Sequence, residues 1–381
     1  MALLHAVNLS PVAIVSDTML QSGGAERVVE ALAEAFPDAP VFTILYDADR
    51  GPRAIESRIV ESWLRGVPYA SKVAKALIPF YPLAVESFDL RQFRVIVSSH
   101  HTLAKGVLRT AEQTHICYCH TPMRSLWERP HEELERTPAP LRPLIKQLLH
   151  SLRNWDYGTA SRVDQFVANS AQTAARVAKH YRRESIVLHP PIDTDRFTVG
   201  GHVRDYYLIA SRNVPYKRID LAIAAATRLG RALVVVGDST DRLADANPNI
   251  TYYGKVSDKK LLTLMREARA LLFPQHEDFG MTVLEMNACG RPVIAFGKGG
   301  ALETIVDGHT GIIFKEQTVD SLVSAIRRFE SIAFDPFAIR RHAETFSKHR
   351  FIQRMREIVS AALEDENALR HPEATIALTG S

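Results

Sequence analysis

Short apolar runs alternate along this chain with stretches whose apolar residues return every three or four positions. In the first half, Val12–Val15, Val41–Leu45, Val95–Ser98, Ile116–Cys119, Gln165–Ala168 and Ile186–His189 read as strands, and Ala25–Phe36 reads as an amphipathic helix. Runs that are apolar throughout belong to strands buried on both faces, as in parallel sheets. From Pro190-Pro191-Ile192-Asp193 to about Gly201 turn formers dominate and mark a domain boundary. The alternation then resumes. Tyr207–Ala210, Ala232–Val236, Ile250–Tyr253, Ala270–Phe273, Val293–Phe296 and Ile312–Phe314 read as strands, and Arg218–Leu229 and Leu322–Phe329 as helices. Phe337–Leu363 carries apolar residues at helical spacing, and the last dozen residues are expected to fray. The pattern predicts two α/β domains, residues 1–195 and 196–344, each a parallel sheet with helices on both faces. Ligands of such sheets bind at the carboxyl ends of the strands, so the site is expected in a cleft between two facing domains.

One stretch organises the second domain. The apolar run Ala270–Phe273 ends at Pro274, a polar turn follows, and Gly280 opens a helical pattern that Gly290 stops. A strand that turns into a helix N-terminus presents unpaired backbone N–H groups backed by the positive end of the helix dipole, which suits phosphate. Glu277 sits in that turn and Glu285 inside the helix. Carboxylates repel phosphate, so these two are expected to grip hydroxyls on either side of it, as a nucleotide-sugar would require. Two glutamates eight apart also arise by chance, and either alone reads equally as a solvated helix charge.

Composition narrows the class. At 381 residues, 46% apolar and 24% charged, the chain has room for two ordinary cores. No apolar run approaches the about 18 residues that cross a bilayer, and the first eight residues lack the basic and apolar regions of a secretory signal. Cys117, Cys119 and Cys289 are too few for a disulfide framework and have no zinc-site spacing, so they read as buried thiols of a reducing cytoplasm. A formal charge of +4 argues against general nucleic-acid binding.

Other positions carry candidate chemistry. Gly23-Gly24 follows the first strand and precedes a helix, where a bare backbone approaches phosphate closely, or simply turns tightly. Arg212 and Lys217 flank a proline-stiffened turn after the first strand of the second domain, placed to stabilise charge on a departing diphosphate. His120, in Cys119-His120-Thr121-Pro122, ends a strand where it can meet a sugar hydroxyl or serve only packing. His100-His101 ends the preceding strand and is a candidate for the acceptor side, with His100 the first choice. Ser62–Val85, with Lys72 and Lys75, and Arg136–Trp155, with Arg142 and Lys146, contain no acidic residue and are rich in Trp, Tyr, Phe and Leu. Both fit an anionic membrane surface, and both equally fit helices packed on the core with a solvated basic side.

The sequence resembles the retaining glycosyltransferases of family GT4. The resemblance rests on Gly23-Gly24-Ala25-Glu26-Arg27, His120-Thr121-Pro122, Arg212 with Lys217, and Glu277-x7-Glu285 with Phe279-Gly280, in the family's order and over nearly the whole chain. It implies the GT-B fold, two Rossmann-like domains facing across a cleft, with a C-terminal helix at about 345–368 crossing back to an acceptor-binding N-terminal domain. It implies catalytic roles for His120, Arg212, Lys217 and Glu277. Donor contacts are implied for Gly23, Gly24, Lys255, Val256, Asp278, Phe279, Gly280, Met281, Thr282 and Glu285. Neither a cofactor nor a metal is implied. Within the family, Ser-Arg-Asn-Val-Pro-Tyr-Lys-Arg and Glu-Asp-Phe-Gly resemble bacterial mannosyltransferases of exopolysaccharide assembly. These take GDP-mannose, extend a polyprenyl-diphosphate-linked oligosaccharide, often through an α-1,3 linkage, and work peripherally on the cytoplasmic face of the membrane. UDP-glucose or UDP-GlcNAc transfer and nucleotide-sugar 2-epimerisation are the alternatives. Ser211 and Asp278 depart from the commoner family pattern, which has glycine at both positions.

Overall fold

The computed structural model describes residues 11–243 and 247–370. The readings of the first eight residues and of the extreme C-terminus fall outside that range. The chain forms two compact units, one from the residues up to His189 together with those from Phe351 onward, the other from Pro190 to Arg350.

Among the described residues, unit 1 is a seven-stranded parallel sheet: β1 (Val12–Ser16), β2 (Val41–Thr43), β3 (Ile59–Glu61), β4 (Val95–His100), β5 (Thr114–Cys119), β6 (Gln165–Ala168) and β7 (Ser185–Val187), in the order β3-β2-β1-β4-β5-β6-β7. Side chains alternate across a strand. Val12 and Ile14 of β1 therefore join one core with α1 (Gly24–Ala35), while Ala13 and Val15 join the opposite core. That second core is roofed by α2 (Tyr81–Glu86), α3 (Arg124–Trp127), α4 (Pro130–Arg136) and α5 (Arg142–Thr159), and α6 (Ala171–Tyr181) packs near β6.

Among the described residues, unit 2 is a six-stranded parallel sheet: β8 (Tyr207–Ala210), β9 (Leu233–Val236), β10 (Ile250–Tyr252), β11 (Ala270–Phe273), β12 (Val293–Phe296) and β13 (Gly311–Phe314), in the order β10-β9-β8-β11-β12-β13. Its helices are α7 (Ile219–Leu229), α8 (Asp258–Glu267), α9 (Met281–Ala288), α10 (Ala301–Thr304), α11 (Val319–Glu330) and α12 (Pro336–Glu344). The final helix, α13 (Lys348–Arg370), packs Phe351, Met355, Ile358 and Val359 into unit 1, and Arg356 Nε donates to the Ala35 carbonyl at 2.8 Å. The expected return of the C-terminal helix is thus observed.

Two elements differ from expectation. The helical pattern of Phe337–Leu363 is two helices, because the chain between them pairs with the linker instead. Ile192 N–H donates to Phe346 O at 3.0 Å and Lys348 N–H donates to Ile192 O at 2.9 Å. Ser62–Val85 is a run of turns with short 3-10 helices at Trp63–Gly66 and Ile78–Phe80, and becomes α-helical only at α2. Pro68, Pro79 and Pro82 each remove a backbone donor, and Tyr69 takes φ +56°.

Candidate functional site

In each sheet the strand order reverses once, leaving a crevice at the carboxyl ends of the two flanking strands. In unit 2 the reversal lies between β8 and β11, the strands that carry the two candidate motifs. Gly280 precedes α9 with φ +84°, and a Cβ there would lie 2.7 Å from Phe273 Cζ, so glycine is required both by conformation and by space. No side chain caps α9. The N–H groups of Met281 and Thr282, both half-buried, therefore stand open in its first turn.

Neighbouring loops close around this helix end. The N–H of Gly300 donates to Glu277 O at 3.0 Å, and a Cβ on Gly299 would lie 2.0 Å from the same oxygen. Gly237, at φ +145°, passes so close to Ser211 that a Cβ would lie 1.8 Å from its carbonyl oxygen. Gly237 N–H also donates to Gly254 O at 3.3 Å, which draws in the turn bearing exposed Lys255 and half-buried Val256. Lys217 pairs with Glu277 Oε1, joining the two motifs, and their side chains are 15% and 22% exposed. Arg212 is exposed, and its guanidinium makes no hydrogen bond or ion pair with a described residue. Asp278 is half-buried, Phe279 packs in the core against Phe346, and Glu285 is buried at 6% within α9. Unit 2 thus gathers Arg212, Lys217, Glu277 and the open end of α9 on one rim.

Unit 1 arranges its reversal, between β1 and β4, in the opposite sense. Here the N–H groups of His101, Thr102, Leu103 and Ala104 converge on the carboxylate of Asp17, at 2.7 to 2.8 Å, and Asp17 is 1% exposed. A cradle that elsewhere would bind an anion holds the chain's own. Sequence reading passed over Asp17, because its partners lie more than 80 residues away. At the Gly23-Gly24 turn the N–H of Gly23 donates to Glu26 at 3.0 Å, and Gly24 is exposed. His120 is half-buried, with Nε2 2.9 Å from Ser99 Oγ; burial, reinforced by His101 beside it, pushes its imidazole down to about 3.

His100 corrects one expectation: it is wholly buried, 3.4 Å from the Tyr181 hydroxyl, and so lies on no acceptor or membrane face. Burial holds its imidazole well below the ordinary value. Its neighbour Lys105, equally buried, pairs with Asp156 and donates to Thr159 at 3.0 Å. Lys72, Lys75, Arg142 and Lys146 are all exposed. Residues 62–85 and α5 bury apolar side chains in the same core, Leu64, Leu77 and Tyr81 beside Leu149 and Leu152. Their outer sides leave Trp63 at 50%, Tyr69 at 74%, Leu83 at 60% and Leu144 at 67% exposed. Among the described residues no helix is long and apolar enough to cross a membrane.

Two Rossmann-like sheets joined in one chain, with a C-terminal helix returned to the first, define the GT-B fold. Known structures agree: an Anabaena protein, HepE, solved in complex with UDP and glucose, superposes with a TM-score of 0.67 over 92% of this chain and 99% of its own, at 16% identity. WaaG, a glycosyltransferase involved in lipopolysaccharide biosynthesis, gives 0.64 over 91% and 99%, at 17% identity. Residues 22–196 match the family described as Glycosyltransferase Family 4, and residues 195–345 match Glycosyl transferases group 1. The chain belongs to the GT4 glycosyltransferases. Curated relatives include the D-inositol 3-phosphate glycosyltransferases of Geodermatophilus obscurus, 29% identical over 53% of each chain, and of Mycolicibacterium smegmatis, 27% identical over 57% of each. The chain spans about half the length of these relatives. They are not mannosyltransferases by name, and nothing in the comparisons singles out GDP-mannose or exopolysaccharide assembly.

Proposed function

We propose that the protein transfers a hexose from a nucleotide-sugar, bound on unit 2, to a hydroxyl of an acceptor handled by unit 1. The uncapped N-terminus of α9, with Lys217 and Arg212 beside it at the strand-order reversal, carries this reading. The diphosphate displaces Glu277 from Lys217 and takes its place against Lys217, Arg212 and the open N–H groups. Glu277, released, and Glu285 take hydroxyls of the sugar and the ribose. As the C1–O bond to the diphosphate breaks, its electron pair leaves on a phosphate oxygen. Fixed cations and the helix dipole stabilise that charge, the part a metal plays in other transferases. The acceptor oxygen bonds to C1 from the same face, and its proton passes to the leaving phosphate oxygen, so configuration is retained.

Within this reading the donor is GDP-mannose and the acceptor a polyprenyl-diphosphate-linked oligosaccharide, on the resemblance carried by residues 211–218 and 277–280. The exposed aromatic and leucine side chains of residues 62–85 and α5, with Lys72, Lys75, Arg142 and Lys146 among them, supply a peripheral contact with an anionic membrane. UDP-glucose is the second donor to test, since the structurally similar HepE was solved with UDP and glucose. Thermal protection by a panel of GDP- and UDP-sugars identifies the donor, because a ligand bound only by the native state raises the melting temperature. NMR of the donor incubated alone excludes epimerisation. A chain protected by no nucleotide-sugar would overturn the proposal.

A further inference from the structure

The Asp17 cradle has a second occupant. Besides its four backbone donors, Asp17 Oδ2 lies 3.2 Å from His101 Nδ1. Asp17 is a strict acceptor when ionised, so in the neutral imidazole the contact puts the proton on Nδ1 and the lone pair on Nε2. The His101 side chain is 36% exposed, and Nε2 makes no hydrogen bond with a described residue. Its ring stands edge-on to His120, centroids 6.2 Å apart. A carboxylate behind one ring nitrogen fixes both tautomer and orientation, and four N–H bonds hold that carboxylate rigid. The loop 101–104 needs Asp17 to satisfy its N–H groups, but that need does not extend to the His101 ring.

We propose that His101 Nε2 accepts a hydrogen bond from a hydroxyl of the acceptor, with Asp17 as the positioning residue behind it. The inference rests on the transfer reading above and assigns the acceptor end of that reaction to the carboxyl end of β4. Nitrogen with a free lone pair selects a donor group, and the N–H groups of the cradle beside it are taken by Asp17 rather than offered to a phosphate. The group recognised is therefore a neutral sugar hydroxyl. His101 takes no proton in the transfer.

The test compares His101→Asn and His101→Gln with the wild type, using the donor found by thermal protection. Acceptors are a synthetic alkyl-diphosphate-linked cellobiose and inositol 3-phosphate. Asn keeps a donor toward Asp17 but has no atom where Nε2 stands, whereas Gln places an amide oxygen near it. Loss of one hydrogen bond should raise the acceptor KM about tenfold in His101→Asn, with donor KM and melting temperature unchanged. His101→Gln should recover most of that loss. An acceptor KM equal to wild type in His101→Asn overturns the inference while leaving the transfer reading intact. So does a loss accompanied by a lower melting temperature and no recovery in His101→Gln, which marks a structural role. Wild type that transfers to neither acceptor and hydrolyses no donor sinks the transfer reading, and this inference with it.

Discussion

Each unit contains a lysine paired with a carboxylate, and the two pairs differ in what surrounds them. In unit 1, Lys105 and Asp156 are both fully buried, and their valences are filled. Lys105 Nζ also meets Asp156 O at 2.7 Å and Thr159 Oγ1 at 3.0 Å, while Asp156 Oδ2 accepts from Trp127 at 2.7 Å and Tyr181 at 2.9 Å. In unit 2, Lys217 and Glu277 remain partly open to solvent and stand beside an uncapped helix end. A saturated, dry pair has nothing left to give a ligand and fastens α3, α5 and α6 together. An unsaturated pair at a strand-order reversal is exchangeable, since an incoming anion can take the lysine and an incoming hydroxyl the glutamate.

The largest expected effect breaks the first pair. Lys105→Met leaves Asp156 buried without its cation and should cost about 3–5 kcal/mol of stability. Chemical denaturation followed by tryptophan fluorescence measures this, because Trp63, Trp127 and Trp155 all lie in unit 1. A cost below about 1 kcal/mol would mean the network is no scaffold. Next comes the second pair. Lys217→Ala should lower turnover about 10²- to 10³-fold, as loss of one fixed transition-state partner does. Its effect on stability should stay within about 1 kcal/mol, as expected of a pair still reached by solvent. Full transfer activity in Lys217→Ala would remove unit 2's pair from the chemistry. A smaller effect tests the helix end itself. Gly280→Ala forces a Cβ toward Phe273 and an alanine into φ +84°, and should cost about 1–3 kcal/mol. Nucleotide affinity should weaken as the α9 tip shifts, measured by calorimetry. Unchanged affinity at reduced stability would place the phosphate elsewhere.

Much of this comparison was legible before any coordinates. Gln165–Ala168, Tyr207–Ala210, Ala270–Phe273 and Val293–Phe296 have the same bounds in sequence and structure, because strands buried on both faces read as unbroken apolar runs. Ile59–Glu61 escaped notice as a three-residue edge strand, only half-buried, with no such run. Arg212, Lys217, Glu277 and Gly280 were visible because each sits beside a strand end that the pattern marks. Lys105, Asp17 and Asp156 were not, since what defines them is a partner tens of residues away and nothing local distinguishes a buried charge from a solvated one. His100 shows the converse failure. The sequence marks the pair His100-His101 at a strand's carboxyl end but not which of the two turns outward, and here His100 enters the core while His101 reaches solvent.

The two units should also separate in acid. His115 is wholly buried, and burial holds its imidazole at about 3, as it does for His120. Above pH 6.5 both are neutral whether the chain is folded or not, and they contribute nothing to the pH dependence. Below it the unfolded chain takes up protons that the native state refuses until about pH 3, so each site lowers stability by about 1.4 kcal/mol per pH unit over that window. In unit 2 the carboxyl of Glu330, lowered chiefly by its hydrogen bond from Arg231, favours the native state above its ordinary value of 4.5. That contribution is lost only below pH 4.5. Tryptophan fluorescence, which reports unit 1, should therefore change at higher pH than far-ultraviolet circular dichroism, which averages both units. Substituting His115 by Gln, which keeps a polar group beside Ser98 and adds no titration, should move the fluorescence midpoint toward the dichroism midpoint. Coincident midpoints in the wild type would mean that the two units share one acid transition and that the contrast between their interiors does not reach their stability.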